Sequence, residues 1–215
     1  MKEDLSVLIL SCNKYSHLLP YFSYFFDKFW EPGNLYKKYI TTESVVLEHG
    51  EYNPILTQDA NWTNSLIKAL NQIETPYVFI ILDDFFLVRT LSLKSIQNAL
   101  SSVKTYTLDK YVFHYPHEAF VGKLSETSAG DSVYKVKQDS EYTMTLQPSI
   151  WNVKFLNKCL KEGESPWQFE IDGSKRINET IQHNIYMEII PTGYHREAVS
   201  RGEFTPAYYE MIQGL

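Results

Sequence analysis

Two adjacent aspartates, Asp83 and Asp84, end an apolar run from Tyr77 to Leu82 in the segment TPYVFIILDDFFLV, 75–88. A run that short, rich in Val, Ile and Phe, reads as a strand buried on both faces. Its carboxylates then lie where the strand leaves the core, the edge at which open α/β sheets bind ligands. Paired carboxylates there suit a divalent cation and, through it, a phosphate. Acidic residues also end strands simply as solvated turn starters. Here Phe85, Phe86, Leu87 and Val88 follow, which is not turn chemistry. Carboxylates wedged between two apolar segments are costly to bury without a partner, so the pair reads as a functional site.

The elements that must position this pair alternate in type. Leu5–Leu10 reads as a first buried strand. A polar loop, SCNKYSHL, leads into an aromatic-rich helix from about Ser16 to Phe29, with Leu18, Phe22, Phe25 and Phe29 at helical spacing. Glu31-Pro32-Gly33 stops it. Residues 38–47 predict a β-branched second strand or a pair of short strands. Asp59 or Asn61 caps a helix through about Ile73, and the Asp-Asp strand follows. Strand, helix, strand, helix, strand implies a parallel sheet with crossover helices. A further helix spans about Ser92 to Val103. Beyond it, 111–116, 132–137 and 141–147 read as shorter strands, the last two pairing as a hairpin around Gln138-Asp139-Ser140. A helix from about Ser149 to Lys161, the acid-bearing segment SPWQFEIDGSKRINETI, a last strand at 184–190 and a polar, aromatic tail complete the chain.

Composition narrows the function classes. A chain of 215 residues supports one substantial core. A formal net charge of −6 argues against a general nucleic-acid binder. Aromatic residues at 15% are compatible with surfaces that stack on sugars, although large cores use them too. Cys12 and Cys159 make no disulfide framework, which points to a reducing, cytoplasmic setting. The start, MKEDLSVLILSC, does not read as a signal peptide, and no stretch approaches the 18 apolar residues of a membrane span.

Four stretches together resemble the GT-A family of nucleotide-sugar glycosyltransferases, and among them the small bacterial enzymes of capsule and lipopolysaccharide assembly. They are LILSCNKYSHLL at 8–19, DANWTNSLIKALNQIETPYVFIILDDFF at 59–86, TMTLQPSIWNVKFLNKCL at 143–160 and SPWQFE at 165–170. The resemblance implies an α/β fold of GT-A, Rossmann-like type: a three-layer sandwich with a mainly parallel central sheet. It implies one domain, with a nucleotide-binding half at about 1–104 and an acceptor-binding half at about 105–215. Ser11, Asn13 and Tyr15 match the loop that touches base and ribose, and Asp59 and Asn61 a helix start that reaches the nucleotide. Asp83 and Asp84 match the Asp-x-Asp motif that binds ribose and, through Mg²⁺ or Mn²⁺, the diphosphate. This chain departs from that motif in having its two acids adjacent. Adjacent strand residues face opposite ways, so both point inward only if the strand has already turned. Asp84 is the expected ligand, with Asp83 toward the nucleotide or a backbone amide.

The resemblance also places a general base at the start of a late helix. Glu170 matches by order and spacing, with Asp172 its close competitor. Late cations and a histidine complete the set: His195 for the metal, Arg201 for the diphosphate. His114 and His117 read as acceptor-region or structural residues. The implied activity is inverting transfer of a sugar from a nucleotide-sugar donor to a saccharide or lipid-linked saccharide, a role that allows peripheral contact with the inner membrane. A sugar nucleotidyltransferase is the alternative enzyme, although SCNKYSH lacks the glycines of a phosphate loop. A non-catalytic carbohydrate-binding or assembly protein on a degenerate fold is the alternative from another class.

Overall fold

The computed structural model describes residues 4–46, 51–213 and 215. Its first half runs β1 (Leu5–Leu10), a 3₁₀ segment (Asn13–Leu18), α1 (Leu19–Phe29), β2 (Lys38–Thr42), β3 (Tyr52–Leu56), α2 (Trp62–Leu70), β4 (Tyr77–Leu82), β5 (Phe85–Leu87) and α3 (Leu93–Thr105). The second half runs β6 (Lys110–His114), β7 (Leu124–Glu126), β8 (Val133–Val136), β9 (Ser149–Asn152) and α4 (Val153–Cys159). A helical stretch follows, α5 (Pro166–Gln168), a π-helical turn (Phe169–Gly173) and α6 (Ser174–Thr180). The chain closes with β10 (Ile185–Ile189), β11 (His195–Glu197), β12 (Val199–Ser200), β13 (Glu203–Phe204) and α7 (Pro206–Ile212).

Nine strands form one sheet in the order β3-β2-β1-β4-β9-β6-β10-β8-β7. β3, β2, β1 and β4 pair in parallel, as do β6 and β10, while β9 and β8 run against their neighbours. The sheet is therefore mixed and mainly parallel, with β4 in its interior. Side chains alternate across it. Leu5, Val7 and Ile9 join Phe79 and Ile81 in a core covered by α1 and α3, whereas Leu8, Leu10, Val78 and Ile80 face a second core under α2, α4 and α6. These are the three layers of the expected sandwich. On the α1 face an aromatic ladder continues from helix to sheet: Phe22–Phe26 at 5.4 Å, Phe26–Trp30 at 5.1 Å and Trp30–Phe79 at 5.1 Å between ring centres. Fully burying one such ring contributes about 1.5–3 kcal/mol.

Several expectations are corrected. The helix expected from about Ser16 begins at Leu19, and Asn13–Leu18, expected as a loop running into it, wind as 3₁₀. The strand expected over 38–47 stops at Thr42; residues 43 and 44 form a bend, 45 and 46 have no regular structure, and residue 47 lies outside the described residues. β3 was not expected, because Pro54 sits inside it, and β3 is an edge strand where a missing N–H is tolerated. Residues 141–147 form no strand, so β8 pairs with β7 and β10 instead of a hairpin partner. Ser149–Asn152 is a strand, not the first turn of a helix; Asn152 then caps α4 by accepting from the Lys154 and Phe155 amides. β10 is followed by three more short strands, so 184–190 is not the last.

Candidate active site

Asp83 and Asp84 occupy the two-residue turn between β4 and β5. Neither residue is part of a strand there, so the strand rule that adjacent side chains face opposite ways no longer constrains them. β5 pairs antiparallel with β11, and the Ala198 amide donates to the Asp84 carbonyl at 2.6 Å, so the turn is clamped from the C-terminal segment. Asp83 is 5% exposed and accepts from the Ser11 hydroxyl at 2.5 Å. Burial, then the neighbouring Asp84, raise its carboxyl well above the ordinary range. Asp84 is pushed up to about 7, by burial first and then by the charge of Glu197. Its Oδ1 is buried with no hydrogen-bond partner.

An orphaned buried carboxylate oxygen pressed by a second carboxylate is a site that gains from a cation. Mg²⁺ commonly takes only one or two carboxylates and completes its shell with substrate phosphates and water. Asp84 fits that pattern. His195 is buried, stacks on Phe85 at 4.3 Å, and is held neutral by burial, which lowers its pKa to about 3; neutral imidazole is the form that binds a metal. Among the described residues no group of three or more His, Cys, Asp and Glu is gathered for a metal.

The raised Asp84 carboxyl carries a stability consequence. Its folded value, about 7, lies above the unfolded 3.8, so the folded chain binds more protons in that interval. Stability from this group is complete below the unfolded value and is lost as pH rises through about 7. In metal-free buffer Asp84→Asn should therefore melt several degrees higher than wild type at pH 8, with the gap closing toward pH 4. Calorimetric melts that show no pH-dependent gap contradict this.

The other candidate residues collect on the same sheet edge, at the ends of β1 to β4. Asn13 accepts from the Ser44 and Val45 amides at 3.1 Å each and donates to the Ser44 hydroxyl at 2.8 Å, tying the loop after β1 to the loop after β2. Tyr15 is half-buried, with the Lys14 ammonium 4.9 Å from its ring centre. Asp59 pairs with Lys68 at 3.1 Å and accepts from the Asn61 amide, and Asn61 caps α2 through Asn64. Arg201 is exposed at the β12–β13 turn, where it and Gly202 both adopt positive φ, 53° and 85°.

Glu170 comes to this edge from the far side. It lies in the π-helical turn, an insertion that re-aims a side chain and is frequent at functional sites. Phe169 anchors that turn against Trp62 at 5.5 Å and Trp151 at 6.3 Å. Arg176 grips the buried Glu164 at 2.7 and 3.0 Å, and Thr63 binds the Glu164 backbone, fixing the start of the same stretch to α2. Glu170 accepts from the Leu146 amide at 2.6 Å. Burial raises its carboxyl, opposed by Leu146, Lys110 and Thr145 and reinforced by Glu197. Asp172, in the same turn, is exposed.

Glu170 and Glu197 line one cavity of about 170 Å³ with His114, Tyr115, His117 and Gln147. Tyr115 and Glu197 also wall a larger cleft of about 470 Å³ with His195, Arg196 and Thr205. Glu197 thus acts on both Asp84 and Glu170 and links the Asp-Asp turn to the distal acid. Glu197 and Lys110 escaped the sequence reading. Glu197 sits in a short polar strand without periodicity, and the only sign of Lys110 was a charge opening an apolar strand.

No known family's sequence profile matches the chain, and no curated protein sequence matches it. Solved structures do. The chain superposes with a TM-score of 0.59 on the mannosyltransferase PcManGT from Pyrobaculum calidifontis in complex with GDP-Man and Mn²⁺, at 10% identity over 93% of this chain and 58% of that one. With CMP:2-keto-3-deoxy-manno-octonic acid synthetase complexed with CTP the score is 0.57, at 12% identity over 99% and 98%. With S. aureus TarS 1–349 in complex with UDP-GlcNAc it is 0.55, at 13% identity over 98% and 65%. The chain spans 52% of the bifunctional IspDF from Campylobacter jejuni. These likenesses establish the fold: a Rossmann-like α/β sandwich of the kind found in GT-A glycosyltransferases and nucleotidyltransferases.

Proposed function

We propose that this chain is a nucleotide-sugar-dependent glycosyltransferase that inverts configuration, with Asp83, Asp84 and the loops after β1 to β3 on the donor side and Glu170 as general base. The observation that carries the reading is the link through Glu197. Glu197 shares a cavity with Glu170, its neighbour Ala198 is bonded to the Asp84 backbone, and its charge bears on both acids, which were matched separately to a donor and a base position. In the reaction, Glu170 takes the proton of the acceptor hydroxyl as that oxygen bonds to the anomeric carbon. The bond from that carbon to the nucleoside diphosphate breaks, its electron pair leaving with the phosphate oxygen. Asp84 would hold a Mg²⁺ or Mn²⁺ ion, whose charge would offset that of the diphosphate. The raised carboxyl of Glu170 suits a base that works near neutral pH. The division of labour between 1–104 and 105–215 belongs to the same proposal, as do a saccharide or lipid-linked acceptor and a place in bacterial surface-polysaccharide synthesis. Among the described residues no helix is long and apolar enough to cross a membrane.

One observation favours a second reading. The chain covers 98% of the CTP-bound synthetase and 92% of a UDP-glucose pyrophosphorylase complexed with UDP-glucose, but much less of the glycosyltransferases. A sugar nucleotidyltransferase binds a nucleoside triphosphate and a sugar phosphate. Thermal shift separates the two. UDP, GDP or CDP with Mn²⁺ should raise the melting temperature by several degrees, more than the matching triphosphate does. Stabilisation by a triphosphate alone supports the nucleotidyltransferase, and no response to any nucleotide removes both.

A further inference from the structure

Lys110 is the first residue of β6 and is fully buried. Burying an ammonium is costly unless it is paired, and a stability role alone would be served by a Leu or Met. Its Nζ sits 4.0 Å from the centre of the Trp151 ring and donates to the Thr145 carbonyl. That carbonyl belongs to the peptide bond joining Thr145 to Leu146. The N–H of the same peptide donates to Glu170 Oε1 at 2.6 Å. The ammonium therefore pulls electron density from the oxygen of a peptide whose hydrogen holds the carboxylate, and such chained hydrogen bonds reinforce one another.

We infer that Lys110 is a positioning residue for Glu170: it grips the 145–146 peptide, aims its N–H at the carboxylate, and favours the ionised form of that acid by charge. Segment 141–147 is built for this task. It makes no strand, and two of its amides bond to side chains instead: Met144 N–H to the Ser174 hydroxyl at 2.8 Å and Leu146 N–H to Glu170. The other titratable groups facing Glu170 are Glu197 on β11, which opposes its ionisation, Tyr115, and His114 and His117 in the shared cavity. Cys159 lies near Lys110. Of these groups Lys110 is the one whose side chain donates to the peptide that holds Glu170. Burial lowers Lys110 to about 7 while Glu170 raises it, so the two groups titrate as a coupled pair. The catalytic meaning of the inference rests on Glu170 being the base, but its test does not.

The test follows both groups by NMR in the intact protein, free of nucleotide. The Glu170 carboxyl carbon is assigned by its loss in Glu170→Gln. In Lys110→Met its titration midpoint should rise by roughly one unit or more, and in Lys110→Arg it should stay near wild type. The reciprocal measurement covers the case in which Lys110→Met does not fold. In Glu170→Gln the Lys110 side chain should lose its proton at lower pH than in wild type. A Glu170 midpoint that is the same in folded Lys110→Met, or a Lys110 titration unchanged by Glu170→Gln, overturns the inference. Neither measurement uses turnover, so coupling found in a protein whose Glu170→Gln variant still transfers sugar leaves the Lys110 link standing and removes only the base.

Discussion

Glu170→Gln should bind donor nucleotide almost as well as wild type and transfer almost no sugar. A general base acts as the acceptor oxygen attacks, so its loss lowers turnover by on the order of a hundredfold or more and leaves ground-state binding largely intact. The amide keeps the size of the carboxylate and can still accept from the Leu146 amide, so the fold should survive. Asp172→Asn is the control. That residue is exposed in the same π-helical turn, and its variant should keep most of its activity. Turnover with a candidate sugar nucleotide, together with calorimetric donor affinity, checks both variants. If Asp172→Asn is inactive and Glu170→Gln is not, the base is Asp172. A product that keeps the donor's anomeric configuration refutes the inverting mechanism outright.

Asp84→Ala should abolish metal-dependent binding of a nucleoside diphosphate while the protein stays folded. One of the two carboxylate oxygens being removed, Oδ1, is buried and has no hydrogen-bond partner, so its loss leaves no protein donor unpaired. Asp83→Ala should act differently. Asp83 is held by the Ser11 hydroxyl at the end of β1, so its removal loosens the loop expected to meet the base. Outer partners of this kind typically cost about 10–100-fold in affinity when removed. Titration calorimetry with UDP or GDP and Mn²⁺ distinguishes the two effects. Unchanged affinity in both variants would dismiss the Asp-Asp turn as a donor site.

How far these sites could be read from sequence depended on how local their causes are. β1 and β4 are continuous apolar runs with a burial face on each side, and α2 and α3 carry their caps, Asn61 and Ser92, in the chain itself. Such signals need no partner to be legible. β9 was hidden because Trp151, Phe155 and Leu156 share a helical spacing, although Trp151 belongs to the strand before the helix. Segment 141–147 alternates like a strand, yet distant side chains satisfy its backbone. Glu170 was singled out by its order and spacing relative to the resembled family. Its relation to Glu197 and Lys110 could not be read in this way, since each comes from a different strand and only the closed sheet brings them together.

The place of β9 sets the order in which this protein can be made. β4 pairs on one side with β1 and on the other with β9, Val78 lying opposite Trp151. While a ribosome has released only the first hundred or so residues, that second edge of β4 has no partner. It then presents Tyr77–Leu82, six residues without a charge or a proline, as a template for another nascent chain. Pairings between segments so far apart close slowly. Residues 1–104 and 105–215 are consequently one cooperative folding unit. A fragment ending near residue 104 should aggregate rather than fold, and the cellular yield of the whole chain should rise with chaperones that cover an open strand edge during synthesis.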